Sequence, residues 1–233
     1  MQENLRRVRA KIAQAAGRAG RSAREVKLVA VTKGVSVEKI EAALAAGVRI
    51  LGENRVQEML AKQPLLPAGI EWHFIGHLQT NKVKYVLDRI SLIHSLDSWR
   101  LAQAISRLAG KEGREVPVLV QVNVAGEKTK YGLPPGEVME FLGTVSTLPG
   151  LKIRGLMTVA PAVDNPEEVR SVFRELRLLY ERARALFPAA GIDYLSMGMS
   201  NDYLVAIEEG ANLVRLGTAI FGREEGERWP GDL

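Results

Sequence analysis

Cysteine is absent from the 233 residues of this chain. That excludes disulfides, thiolate zinc sites and cysteine nucleophiles at once. Histidine is scarce. His73, His77 and His94 are the only three, they fall on separate predicted segments, and none forms a His-x-x-x-His helical pair, so no metal site is supported. No apolar stretch approaches the ~20 residues that a membrane-spanning helix needs. The opening Met1-Gln2-Glu3-Asn4-Leu5-Arg6-Arg7 has no apolar signal core behind its charges. A cytoplasmic protein with no membrane partner is the expectation.

What is present is an ordinary globular balance, 46% hydrophobic and 25% charged, with ample material for a core. The net charge is +5, and much of the excess lies at the start: Arg6, Arg7, Arg9, Lys11, Arg18, Arg21 and Arg24. Such a cluster could touch nucleic acid. Leu5, Val8, Ile12 and Ala15, however, recur at helical spacing with the cations mostly elsewhere, and no aromatic side chains interleave with them to stack on bases. The solvated face of an amphipathic helix is the stronger reading, and nucleic acid is not an expected partner.

The rest of the chain alternates. Candidate strands are 27–32, 48–51, 71–75, 91–94, 117–124, 152–157, 193–196 and 212–216, and helices fit between them at 36–46, 53–62, 80–87, 98–110, 135–147, 165–187 and 201–209. Ser36 is placed to cap the helix that opens Val37-Glu38-Lys39. Asn165-Pro166-Glu167-Glu168 combines a cap, a proline at the first helical position and acids behind it. Gly47 and Gly210 stop their helices. Strand-helix alternation predicts parallel pairing with right-handed crossovers. Eight repeats predict a closed (β/α)8 TIM barrel, a single domain over 1–233, with the first helix as an N-terminal addition. An open doubly wound sheet is the alternative. Gly126 to Gly136 reads as an extended loop after strand five.

In such a barrel the active site lies at the C-terminal ends of the strands. Lys33 closes the first one, Leu28-Val29-Ala30-Val31-Thr32. An ammonium removed from water there is costly, and a buried lysine readily becomes a nucleophile for an aldehyde. The plain alternative is a lysine that snorkels to the surface. Asn54, after strand two, either hydrogen-bonds at the mouth or caps a helix. The polar run His77-Leu78-Gln79-Thr80-Asn81-Lys82 has a ligand-facing composition, or is a loop and cap. Lys128 and Lys130 default to solvated loop charges, and Met157 to packing. After strands seven and eight, Ser196-Met197-Gly198-Met199-Ser200 and Gly217-Thr218 bring hydroxyls and close backbone approach to the usual phosphate-binding place of this fold. A strand-one lysine facing a two-loop phosphate site describes pyridoxal 5′-phosphate held as an internal aldimine. Arg215, at the end of strand eight, sharpens this. Against a pyridine nitrogen it stays charged and keeps that nitrogen unprotonated, so the ring is a weak electron sink. Its plain alternative is a rim ion pair.

Together these segments resemble the pyridoxal phosphate homeostasis proteins of the YggS/PROSC type, themselves similar to the barrel domain of alanine racemase. The matching stretches are Val29-Ala30-Val31-Thr32-Lys33, Gly52-Glu53-Asn54-Arg55-Val56-Gln57-Glu58, Trp72 to Lys82, Gly155-Leu156-Met157-Thr158, Leu195 to Asp202 and Val214 to Gly222, in order over nearly the whole chain. The resemblance implies that Lys33 forms the aldimine, that Ser200, Gly217 and Thr218 contact phosphate with Ser196 as a further candidate, that Arg215 faces the pyridine nitrogen, and that Asn54 lies near the ring. It implies a non-catalytic carrier or buffer in vitamin B6 homeostasis. A monomer is expected, and apo forms of pyridoxal phosphate-dependent enzymes are candidate recipients. Asn201 before Asp202 departs from the two acids expected there. The alternative is a weakly active amino-acid racemase. Racemisation needs a base on each face of the substrate Cα, and in the racemase the second base is a tyrosine from a second domain. This chain ends at Leu233, just past the predicted eighth strand, and leaves Tyr131, Tyr194 and Tyr203 as the conceivable substitutes. No robust racemase or transaminase activity is expected.

Overall fold

The computed structural model describes residues 1–222, so Leu233 lies outside the described residues. Eight parallel strands close into a barrel in sequence order: β1 (Lys27–Val31), β2 (Ile50–Glu53), β3 (Glu71–Phe74), β4 (Leu92–Leu96), β5 (Val116–Gln121), β6 (Leu151–Met157), β7 (Tyr194–Ser196) and β8 (Leu213–Leu216). Around them run α1 (Gln2–Arg18), α2 (Val37–Ala45), α3 (Val56–Lys62), α4 (Trp99–Lys111), α5 (Val138–Val145), α6 (Arg170–Leu186), α7 (Tyr203–Glu208) and α8 (Thr218–Phe221). The closed barrel expected from the alternation is the one observed, and the doubly wound sheet is not. No helix among the described residues is long and apolar enough to cross a membrane.

Several boundaries differ from the sequence expectation for physical reasons. The helix expected over 80–87 is a 3-10 segment, Thr80–Tyr85, that buries only Val83. Without an apolar stripe there is little packing to sustain a full α-helix. The helices expected over 135–147 and 165–187 open with 3-10 turns, Pro135–Glu137 and Pro166–Val169, before α5 and α6 begin. Ser36 occupies its cap position without bonding the backbone of α2. Its hydroxyl instead helps hold the nearby Glu38 carboxylate below its ordinary pKa. Asn165 does cap, accepting from Glu167 N at 3.1 Å.

β2 begins two residues later than expected and takes in Gly52 and Glu53. Both are poor strand formers by propensity. The barrel overrides this, because a Cβ at position 52 would come within 2.8 Å of Val29 Cγ1, and only glycine permits that approach.

The core has two parts. One lies between the barrel and its helices. The other fills the barrel itself with Val29, Ile50, Leu92, Leu119, Met157 and Leu213. Side chains alternate along a strand, so the next inward layer falls two residues further on. There Ile50, Leu92, Leu119 and Leu213 give way to Gly52, His94, Gln121 and Arg215. The barrel interior is thus apolar below and polar toward its mouth.

The N-terminal helix is present and buries Leu5, Val8, Ile12, Ala15 and Ala16. Two of its neighbouring cations serve the fold. Arg18 pairs with Glu208 at 2.7 Å, and Arg21 Nη1 donates to the Ile207 and Ala211 carbonyls at the end of α7. That contact satisfies carbonyls a helix leaves unpaired.

Gly155 sits in β6 where the pairing with β5 shifts register between Val118 and Leu119. A Cβ there would fall 1.8 Å from the Tyr194 carbonyl oxygen. Gly155→Ala is expected to cost about 3 kcal/mol or more by overpacking, read as a lower urea midpoint in equilibrium unfolding. An unchanged midpoint would show that β7 yields freely.

Candidate functional site

Lys33 does not lie inside the barrel wall. β1 stops at Val31, Thr32 is the buried residue, and the chain turns at Lys33-Gly34, closed by Val35 N donating to Thr32 O at 3.0 Å. Lys33 is exposed on that turn, which corrects the expectation of a buried amine. The buried lysine is Lys62, at the end of α3. Its Nζ donates to Thr32 O at 2.6 Å, Glu53 Oε1 at 2.7 Å and Glu58 Oε2 at 3.0 Å. Thr32 Oγ1 also donates to Glu53, and Gly34 N donates to Glu58 Oε2 at 2.9 Å. Burial works against the Glu58 carboxylate, but the Gly34 N–H and the Lys62 ammonium hold its pKa below the ordinary value. This network grips the Lys33 turn from beneath. Sequence reading put Glu53 and Lys62 at the two ends of one helix and gave neither a role.

Removing one partner of a buried pair strands the other. Lys62→Met is therefore expected to lower stability by about 3–5 kcal/mol, and adding Glu53→Leu to recover much of the loss. Chemical denaturation of the three variants checks this. A loss in the double variant equal to the sum of the singles would deny the pairing.

Above the turn, Lys33, Val31, Asn54, Gly217, Thr218 and Phe221 are among the residues that line one cavity of 260 Å³. The two ends of the described chain meet here because β8 pairs with β1. Asn54 Oδ1 is buried without a hydrogen-bond partner, an orphaned acceptor of the kind that needs a ligand or water. At Gly217 an added Cβ would find Val31 no nearer than 3.5 Å, so there is room at the backbone. Ser200 Oγ accepts from Gly217 N at 3.3 Å and Ala219 N at 3.2 Å, tying the β7 loop to the β8 loop.

Arg215 and Ser196 lie deeper. Arg215 is 4% exposed, its Nη1 donating to Ser196 Oγ at 2.7 Å and its Nη2 to Thr158 O at 2.8 Å. Among the described residues no carboxylate is within ion-pair distance, so the rim ion pair is not what the structure has. Burial pulls its pKa down to about 10, with Asp202 opposing from a distance. Ser196 is fully buried and bonded to Arg215 and His94, away from the cavity that Gly217 and Thr218 line. Lys33, Asn54, Gly217 and Thr218 are brought together, Ser200 adjoins them, and Ser196 and Arg215 form a separate layer inside the barrel.

Other polar segments at the strand ends stand apart. His77 is exposed, bonded to Asp97 at 3.2 Å and stacked on Tyr131 with ring centroids 3.8 Å apart. It lines a surface depression with Gln79, Thr80 and Asn81 rather than the Lys33 cavity. Lys130 Nζ donates to Ala160 O at 3.0 Å. Tyr194 begins β7 at the opposite end of the barrel, where Lys27 Nζ donates to its hydroxyl at 3.0 Å. Among the described residues no group of three or more His, Asp or Glu side chains could hold a metal.

Two histidines weighed in the sequence only as metal ligands are inside the barrel. His94 Nε2 is 3.0 Å from His73 Nδ1, His94 Nδ1 is 3.0 Å from Ser196 Oγ, and His73 Nε2 is 3.0 Å from Glu71 Oε1. The signal that could have found them was the two-residue alternation along β3, β4, β7 and β8. Burial drives the His94 pKa well below its ordinary 6.5, with His73 and Arg215 adding to the effect. The unfolded chain takes up this proton near 6.5 and the folded chain does not. The stability is fully present above that pH and is lost as pH falls below it, by up to about 1.4 kcal/mol per pH unit. Urea midpoints from about pH 7 to pH 5 should therefore fall, and fall less steeply in His94→Gln. Parallel slopes in the two proteins would deny His94 this part.

The fold and the site define a class. The family model "Alanine racemase, N-terminal domain" matches residues 3–225. PipY of Synechococcus elongatus PCC7942, solved without PLP, has a TM-score of 0.86 at 36% identity and covers 95% of this chain and 100% of its own. The same protein with PLP bound has a TM-score of 0.78 at 38% identity, over 85% and 93%. A pyridoxal phosphate homeostasis protein of Aquifex aeolicus is 46% identical over 96% of this chain and 98% of its own length. The chain belongs to the pyridoxal phosphate homeostasis proteins, within the alanine racemase N-terminal-domain family.

Proposed function

We propose that this protein binds pyridoxal 5′-phosphate at the mouth of its barrel and serves the homeostasis of that cofactor as a non-catalytic carrier or buffer, with residues 1–233 as one binding domain. The observation that carries this reading is the single cavity shared by Lys33, the orphaned Asn54 Oδ1 and the Gly217-Thr218 backbone. It gains support from a relative, PipY, solved with PLP bound.

When bound, the cofactor supplies an aldehyde that condenses reversibly with a primary amine, water leaving as the carbon–nitrogen double bond forms. Lys33 provides that amine on a turn held by Lys62 and Glu58. Gly217, its N–H already met by Ser200, leaves room at the backbone, and the Thr218 N–H with the hydroxyls of Thr218 and Ser200 suits a phosphate, as backbone amides at this place in a barrel commonly do. Asn54 Oδ1 would offer an acceptor to the bound group. Arg215, supported by Ser196, would hold a positive charge near the ring nitrogen of a bound cofactor and disfavour its protonation, which would leave a poor electron sink.

The non-catalytic part of the reading rests on the tyrosines. Tyr194 is bonded to Lys27 at the far end, Tyr131 is stacked on His77, and Tyr203 is buried in α7. None lines the Lys33 cavity. The expected carrier is a monomer that hands its cargo to apo forms of pyridoxal phosphate-dependent enzymes.

Titration with pyridoxal phosphate is expected to raise an absorbance band at the edge of the visible in the wild type. Borohydride should then fix the cofactor to the peptide containing Lys33, and Lys33→Ala should show neither effect. A wild type that stays colourless would overturn the binding. Efficient alanine racemisation that disappears in Lys33→Ala would overturn the carrier.

A further inference from the structure

Five side chains form an unbroken hydrogen-bonded line through the barrel: Glu71, His73, His94, Ser196 and Arg215, with contacts of 3.0, 3.0, 3.0 and 2.7 Å in that order. Glu71 opens β3 at the N-terminal end of the barrel, beside a surface depression that Lys27 and Arg49 also line. Arg215 lies toward the mouth. The four members from His73 to Arg215 are all buried. A line of polar groups through a barrel core is expensive unless every donor and acceptor is matched.

The chemistry of the two ends fixes the direction of every bond between them. A guanidinium only donates and a carboxylate only accepts. Ser196 Oγ therefore accepts from Arg215 and turns its own hydrogen to His94 Nδ1. His94 carries its hydrogen on Nε2 and donates it to His73 Nδ1. His73 in turn carries its hydrogen on Nε2 and donates it to Glu71. Burial keeps both imidazoles below their ordinary pKa, so each has one hydrogen, and this direction uses each once. The opposite direction would aim two donors at Ser196 and leave the carboxylate facing a lone pair. The charged groups facing the line are Glu71 on β3, Lys27 on β1, Arg215 on β8 and, beyond it, Asp202 before α7.

We propose that Ser196, His94 and His73 are positioning residues that tie the Arg215 guanidinium to the Glu71 carboxylate at the other end of the barrel, so that the cation presented to the cofactor ring is oriented and compensated from the far side of the fold. The last step rests on the reading of Arg215 as the partner of the ring. The line itself belongs to the chain without cofactor.

Nitrogen-15 NMR of the cofactor-free protein reads the tautomers directly. Both His73 and His94 are expected to carry hydrogen on Nε2 at neutral pH, and an Nδ1–H form of either would overturn the line. In His94→Leu the Arg215 Nη hydrogens should exchange with solvent at least about tenfold faster, whereas His94→Gln, which offers an acceptor and a donor in similar places, should restore slow exchange. Should His94→Leu not fold, Ser196→Ala interrupts the line by one atom and gives the same reading. Unchanged exchange overturns the proposal. With cofactor, His94→Leu is expected to weaken pyridoxal phosphate binding about tenfold while Lys33 is still trapped by borohydride. Faster exchange with unchanged affinity overturns the role at the ring. If even the wild type takes up no cofactor, the site reading fails, and tautomers and exchange still decide the line.

Discussion

One guanidinium, buried with no carboxylate within ion-pair distance among the described residues, sets the terms for the inside of this barrel. An unpaired charge removed from water costs several kcal/mol unless its donors are met. Arg215 is met by Ser196 Oγ and Thr158 O, and Ser196 Oγ lies 3.0 Å from His94 Nδ1 in turn. The polar layer near the mouth is thus required by the first polar residue placed in it. Beneath it, Val29, Ile50, Leu92, Leu119, Met157 and Leu213 fill the barrel with apolar bulk. This keeps water from relieving the guanidinium and raises the worth of each bond it makes.

Lys62 is the same problem solved differently. It is buried near two carboxylates and a carbonyl, so its charge is compensated locally and it works as a structural pin. The contrast separates two kinds of buried cation, one at the end of α3 and one on β8. One is neutralised in place and holds backbone. The other has no carboxylate within ion-pair distance among the described residues and is met by a hydroxyl and a carbonyl.

The barrel was legible in the sequence because eight apolar runs alternate with helical patterns, and neither signal needs distant contacts. The mouth was legible because Lys33, Asn54, Ser200 and Gly217-Thr218 all follow strands. What escaped depends on packing that no local pattern carries. Gly52 and Glu53 look like a strand's end until Val29 and Lys62 press on them. Lys33 closes an apolar run, yet Thr32 takes the buried place and the turn carries the lysine out. Ser196 was grouped with Ser200 because both lie in one short segment. Alternation along β7 sends the first into the barrel, and the loop beyond it brings the second to Gly217. His73 and His94 share no helix and no metal spacing, and their partnership appears only when β3 and β4 lie side by side.

Ser200 Oγ accepts two hydrogen bonds, from the Gly217 and Ala219 amides, and so fastens the β8 loop. Both N–H groups are satisfied without a ligand, so the β8 loop is held in place by the chain itself. Across the cavity the Lys33 turn has its backbone fastened by Glu58 while its side chain stays exposed, so one wall is fixed by a hydroxyl and the other carries an exposed amine.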